Sequence, residues 1–279
     1  MNLFRTLLCL LCALVPGATR CALAQDSLYQ SFRSHNAEMT KLQPSWVAPL
    51  IQSDARLGQG VRLSVANMNW PGGQTISYGN NHGISLLARR RFQFDFNPPA
   101  YFRNHSAQLK DGFGNASTQV KMRLASGNAE HGNYIVSAAL MRCFSPRAEQ
   151  NGGLTGAWLP KVVAGKEWGR FVALSSLNGV LPTGKTSAQG RVIEWSATGE
   201  ARTTAHLWLT IEDNAAWFRG SPIDGKMQNF LTPQAEYLVR SRKWAPSHAF
   251  YVFACGMQIA TSSYHQYNHN LVAEARVLF

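Results

Sequence analysis

Along most of this chain apolar and polar residues take turns. The last nine positions show it plainly: Leu271, Ala273, Ala275, Val277 and Phe279 are apolar at every second place, with Glu274 and Arg276 between them. Side chains alternate between the two faces of a strand, so this spacing predicts one apolar face and one charged face. Val120, Met122 and Leu124 against Gln119, Lys121 and Arg123 repeat the pattern, and a helix would not gather both cations on one clean face there. Val61, Leu63 and Val65 flank Arg62 and Ser64. Phe92, Phe94 and Phe96 alternate with Gln93, Asp95 and Asn97. Leu207, Leu209 and Ile211 alternate with His206, Trp208, Thr210 and Glu212, and Ala235, Tyr237 and Val239 with Glu236 and Arg240.

With the β-rich stretches near 86–88, 134–144, 157–165, 170–181, 192–198 and 250–254, the pattern predicts about twelve antiparallel strands. Between them lie segments rich in Gly, Asn, Pro and Ser, which read as loops at 67–83, 98–115, 145–156, 182–191, 214–229 and 261–270. Loops after odd-numbered strands tend to be long and those after even-numbered strands short. An even count with alternating loop lengths suits a closed transmembrane β-barrel with short periplasmic turns, longer extracellular loops and both ends in the periplasm. A soluble β-sandwich has no reason to alternate its loops this way. Trp70, Tyr78, Tyr101, Phe102, Trp158, Trp168, Trp195, Trp217, Phe218 and Trp244 fall near predicted strand ends, where aromatic girdles sit.

The beginning of the chain reads as an export signal. Arg5 precedes an uncharged apolar run through Val15, Pro16-Gly17 breaks it, and Ala22-Leu23-Ala24 offers a cleavage site before Gln25. The expected organisation is a signal peptide at 1–24, a periplasmic lead-in at 25–55 and the barrel at 56–279. No later apolar run is long enough for a membrane helix, so membrane residence requires strands. Loss of the signal leaves Cys143 and Cys255, which match no metal or haem spacing and read either as small unpaired wall residues or as one disulfide in an oxidising compartment.

The net charge of +12 changes the picture only when its placement is considered. There is no basic block of the kind that binds nucleic acid, and many cations fall singly on the polar side of strands, as in a water-filled lumen. Arg62, Lys121, Arg123, His206, Glu212, Glu236, Arg240, Glu274 and Arg276 are therefore the expected lumen-facing residues. The cations either tune solute selectivity or pair with Glu194, Glu212, Glu236 and Glu274 to fill a closed interior. Catalysis is not expected: most histidines lie in predicted loops and no Gly-x-Ser-x-Gly elbow occurs. His265 and His269 are four apart but in a loop, so no metal and no cofactor is expected. The Arg89-Arg90-Arg91 run reads as a solvated turn or as a holder of anionic headgroups.

Asp111-Gly112-Phe113-Gly114-Asn115 running into Val120-Lys121-Met122-Arg123-Leu124 resembles the outer-membrane transporter family of the meta-pathway of phenol degradation. His131-Gly132-Asn133-Tyr134, Leu181-Pro182-Thr183-Gly184, Tyr78-Gly79-Asn80-Asn81 and the closing Phe279 add to the likeness. The resemblance covers most of the chain after the signal, and implies a β-barrel passing small molecules, aromatic or hydrophobic compounds among them. It carries no catalytic residues.

The expectation is thus an outer-membrane channel or transporter whose partners are membrane lipids, the barrel-assembly machinery and a small solute. Leu271, Ala273, Ala275, Val277 and Phe279 are expected to face lipid and form the terminal assembly signal. The alternatives are a barrel serving as a structural or adhesion platform, and a secreted soluble β protein that binds ligands.

Overall fold

A strand with one apolar and one polar face is stable in a membrane only if every backbone N–H and C=O is paired, which an open sheet edge cannot provide. The chain solves this by closure. In the structure, a computed structural model, residues 38–39, 41–79, 82–105, 109–145, 156–184, 190–240 and 250–278 are described. The strands are β1 (Gly60–Trp70), β2 (Gly73–Tyr78), β3 (Gly83–Arg89), β4 (Phe92–Asn97), β5 (Tyr101–His105), β6 (Gly112–Phe113), β7 (Ala116–Gly127) and β8 (Tyr134–Phe144). They continue with β9 (Ala157–Trp168), β10 (Phe171–Pro182), β11 (Arg191–Arg202), β12 (Leu207–Arg219), β13 (Met227–Arg240), β14 (Phe250–Ala260) and β15 (His269–Leu278).

All pairings are antiparallel, and β15 pairs with β1 from Gly60↔Leu278 to Asn69↔His269, closing the sheet. Fifteen segments make twelve wall strands because three wall positions are interrupted. β2 and β3 both lie beside β1, with Trp70↔Gly73 at one end and Gly60↔Ser85 at the other. β5 continues β4 beside them, and β6 continues into β7. At the breaks Gly79 N–H donates to Ser64 O at 2.7 Å and Gly114 N–H to Ala100 O at 2.8 Å, so the wall stays hydrogen-bonded.

Gly60 and Leu278 meet at one rim, called here the terminal rim; the opposite end is the loop rim. The outward face is apolar, with Leu63, Leu86, Phe94, Val120, Val162, Leu177, Ile211, Phe253 and Leu271 exposed. Tyr134, Trp168, Phe171 and Tyr237 ring it near the terminal rim, and Tyr101, Phe113, Phe144, Trp158 and Trp217 near the loop rim. Trp158 and Trp168 are ten residues apart on β9. At about 3.3 Å per residue and a tilt of about 40°, that separation is about 25 Å, the height of the lipid-facing band of outer-membrane barrels.

Three loop expectations change, one of them at 98–115, which carries β5 and β6. The stretch 67–83 is mostly strand, since β1 runs to Trp70 and turns back through Pro71-Gly72. Its Asn67 and Gln74 side chains hydrogen-bond each other across the hairpin at 2.7 Å, so polar residues that suggest a loop serve a ribbon near the loop rim. Likewise the predicted loop at 214–229 shrinks to 220–226. The export signal lies outside the described residues.

Candidate functional site: a lumen filled by the chain's own segment

Twelve strands enclose more space than inward-pointing side chains fill, which about eight strands achieve. Here residues 41–59 run inside the barrel, 41–55 of them from the stretch expected as a periplasmic lead-in. Backbone carbonyls of Lys41 and Leu42 accept hydrogen bonds from Asn128 and Ser126 at the terminal rim. Trp46, Val47 and Ala55 form an apolar cluster with Ile135, Val163, Val172, Leu174, Trp208 and Val252 of the wall. Farther in, Leu50 packs against Ala66, Ala254 and Val272. The deepest contact is that of Ser53 with Lys161, seven residues in from the end of β9, or about 18 Å. The segment then returns, Ser137 donating to Ala55 O at 2.5 Å and Gly58 N–H donating to Gln93 Oε1 at 2.8 Å.

Two wall glycines make room for its apolar anchors. A Cβ on Gly165 would stand 2.9 Å from the Trp46 ring, and one on Gly256 would stand 3.1 Å from Leu50 and 2.7 Å from the Gln234 side chain. Any larger residue at either position would push the segment or the wall aside.

An irregular segment buried this way leaves backbone groups that must find partners, and the wall's polar face supplies them. Glu212 is fully buried and its carboxylate accepts from Ile51 N–H at 2.9 Å and Gln52 N–H at 2.6 Å. Gln234 accepts from Leu50 N–H at 3.1 Å and donates to Glu212 at 2.5 Å. Arg276 donates to the carbonyls of Ala48 and Pro49, and its guanidinium also pairs with Glu274 and lies 3.9 Å from Glu236. Lys121 donates to Asp54 O at 3.0 Å and Arg56 O at 3.2 Å, and Thr198 donates to Gln52 Oε1. Within the segment, Arg56 grips the Asp54 carboxylate at 2.7 Å. Burial pushes the Asp54 pKa up, but Arg56 and Lys121 outweigh it and hold the carboxyl below its ordinary 3.8.

The lumen-facing candidates therefore have particular places. Glu212, Glu236, Glu274, Arg276, Lys121 and Arg123 are buried on the inner face, and Arg62 ion-pairs with Glu274 at 3.1 Å. Arg123 donates to Arg90 O at 2.7 Å rather than standing free in a pore. His206 does not face the lumen. It sits in the turn before β12, exposed, because Thr204 Oγ1 accepts from both His206 and Leu207 N–H and ends the strand pattern early. The Arg240 side chain and Phe279 lie outside the described residues. Leu271 and Ala273 face outward, exposed, opposite buried Val272 and Glu274; Ala275 and Val277 share their side of β15 and are half-buried. His265 turns both ring nitrogens to its own loop, to Ser262 O and Asn268 Oδ1. Cys143 and Cys255 are both unpaired.

Sequence reasoning missed the filling segment itself. Its one signal was Trp46 and Val47 bracketed by Pro44 and Pro49. Gln234 was missed too, because its contact with Leu50 spans 184 residues.

No family model and no curated protein matches this chain. Solved structures do. The NanC porin superposes with a TM-score of 0.52 at 7% identity, covering 78% of this chain and 98% of that one. An outer membrane channel from Pseudomonas putida F1 superposes with a TM-score of 0.54 at 14% identity, covering 84% of this chain and 100% of that one. The fold is that of outer-membrane β-barrels.

Proposed function

We propose that the chain is an outer-membrane channel for small molecules, held closed by its own segment 41–59. The terminal rim then faces the periplasm and the loop rim the outside, the usual orientation of such barrels. The observation that carries this reading is the attachment of the segment. It fills a barrel too wide to fill itself, and among the described residues its ties to the wall are hydrogen bonds and side-chain packing. The fold shared with the NanC porin and the Pseudomonas putida F1 channel supports the same reading, and the meta-pathway resemblance adds aromatic or hydrophobic compounds as cargo. Membrane lipids surround the barrel, and the assembly machinery inserts it through the terminal strand.

Planar-bilayer conductance tests the proposal. The full barrel should conduct weakly or intermittently, and a variant lacking residues 38–57 should conduct steadily and severalfold more. A deletion variant that folds, as judged by heat-modifiable electrophoretic mobility, yet conducts no more than the full chain would refute it.

A further inference from the structure

Above the filling segment the inner wall changes character. On β12, β13, β14, β15, β1 and β2 the inward positions toward the loop rim carry no charge: Asn214 and Phe218, Gln228 and Phe230, Gln258, Asn270, Trp70 and Thr75. All the inward carboxylates of these strands lie nearer the terminal rim, where they hold Leu50–Gln52 and Arg276. On these six strands the inner wall is thus divided into a charged half that clamps the chain and an uncharged half of aromatic rings and amides; the neighbouring β11 adds Glu194, opposite Ala216.

One ring in the uncharged half comes from a loop. The connection from β14 to β15 folds over the lumen and lays Tyr267 flat on Phe230, with centroids 4.4 Å apart and planes 16° from parallel. Its hydroxyl donates to Gln258 Oε1 at 3.1 Å, and Asn270 donates to the same oxygen at 2.8 Å. Tyr264 meets Phe218 edge to face at 5.8 Å. The loop is pinned at its ends, by Asn229 N–H donating to Ser262 Oγ at 2.7 Å and Asn268 N–H donating to Asn69 O at 2.8 Å. Around the stack several buried polar atoms have no hydrogen-bond partner among the described residues: Asn270 Oδ1, Gln228 Oε1, Asn214 Nδ2 and Trp70 Nε1. Buried polar groups are nearly always hydrogen-bonded, so these atoms offer bonds to a molecule that enters this part of the lumen.

We propose that this uncharged half is a binding site for a small neutral ring bearing hydroxyl groups, and that Tyr267 occupies it when no ligand is present. The Tyr267 side chain shows what the site accepts: a flat ring on Phe230 and a hydroxyl on Gln258. A ligand takes its place, stacks on Phe230 and satisfies Asn270, Gln228 or Asn214 with further hydroxyls. A phenol and a sugar ring share that chemistry, since either presents a face to Phe230 and hydroxyls to amides. A carboxylate does not, because no cation faces it from these six strands. The site differs from the closing segment, and binding to it is measurable whether or not solute passes.

The signature is competition by the chain's own residue. Titration calorimetry on the full-length barrel in detergent would use p-cresol and methyl β-glucoside as the two neutral rings, with toluene and p-toluate as controls. At least one neutral ring should bind, and toluene and p-toluate about tenfold more weakly or not at all. Tyr267→Ala should tighten binding of that ring about tenfold, the gain expected if the tyrosine holds the site about nine-tenths of the time. Phe230→Leu, which keeps bulk but loses the flat face, should weaken it up to about tenfold. Which ring binds identifies the ligand class. The proposal is overturned if neither ring binds Tyr267→Ala, if that variant binds no tighter than the native chain, or if p-toluate binds as well as p-cresol. A conducting channel with no such binding would sink this site and leave the channel reading standing.

Discussion

Replacing Glu212 by Ala should release the closing segment. The carboxylate accepts two backbone N–H groups at the segment's turn, Ile51 and Gln52. Hydrogen bonds to a buried charged acceptor contribute about 1.5–3 kcal/mol each, so losing two costs roughly 3–6 kcal/mol. Even the lower figure raises the open-to-closed ratio about hundredfold. The wall should survive, because its own pairing is backbone to backbone and β12 keeps its full register with β11 and β13. A cysteine at Ala55, which is fully buried against the wall, serves as reporter. With Cys143 and Cys255 replaced by Ser, its reaction with a membrane-impermeant maleimide is limited by how often the segment opens. The rate should rise about hundredfold in Glu212→Ala. Glu212→Gln should fall between, since an amide offers one acceptor oxygen and turns an N–H toward the other backbone donor. Rates within twofold of the parent would refute the claim that Glu212 latches the segment.

Four further outcomes follow from the same geometry. Gly165→Val should drive Trp46 from its place and increase both conductance and Ala55→Cys labelling, because even one added carbon lies 2.9 Å from the indole; unchanged labelling would count against that packing. Arg276→Met leaves the Glu236 carboxylate buried without its cation and Glu274 with Arg62 alone, at about 3–5 kcal/mol, and should lower the temperature at which the barrel loses its folded electrophoretic mobility. Lys121→Glu with Arg123→Glu should loosen the segment at Asp54 and Arg56 and shift ion preference toward cations, read from reversal potentials in a salt gradient. The lowered pKa of Asp54 adds stability that is present above the ordinary carboxylate range and lost as pH falls through the lowered value. Asp54→Asn should therefore increase labelling at neutral pH, with the difference from the parent shrinking in acid below about pH 4.

What was legible in the sequence is what period two encodes. Leu271 against Glu274, or Val120 against Lys121, states which side of a strand meets lipid and which meets the interior, because neighbouring side chains must point to opposite faces. The even number of such segments then implies a closed ring, since a membrane tolerates no open edge. Those inferences are local and need no knowledge of which strand meets which. The hairpin at Pro71-Gly72 was hidden because Asn67 and Gln74 pair with each other near the rim, so the polar composition of a loop belongs to strands. His206 was misplaced for the opposite reason: alternation continued through a turn that Thr204 had already capped.

Only the tertiary structure decided what the inward face is for. A buried Glu or Arg on a strand reads the same whether it lines water or holds a chain, and the difference lies in partners 160 residues or more away, as Glu212 and Gln52 are. The filling segment has no periodic pattern because it is neither helix nor strand; its backbone is satisfied by wall side chains instead of by itself. Alternation can say that a residue faces in. What it meets there depends on which strands closure brings around the same axis, and on how much space twelve of them leave.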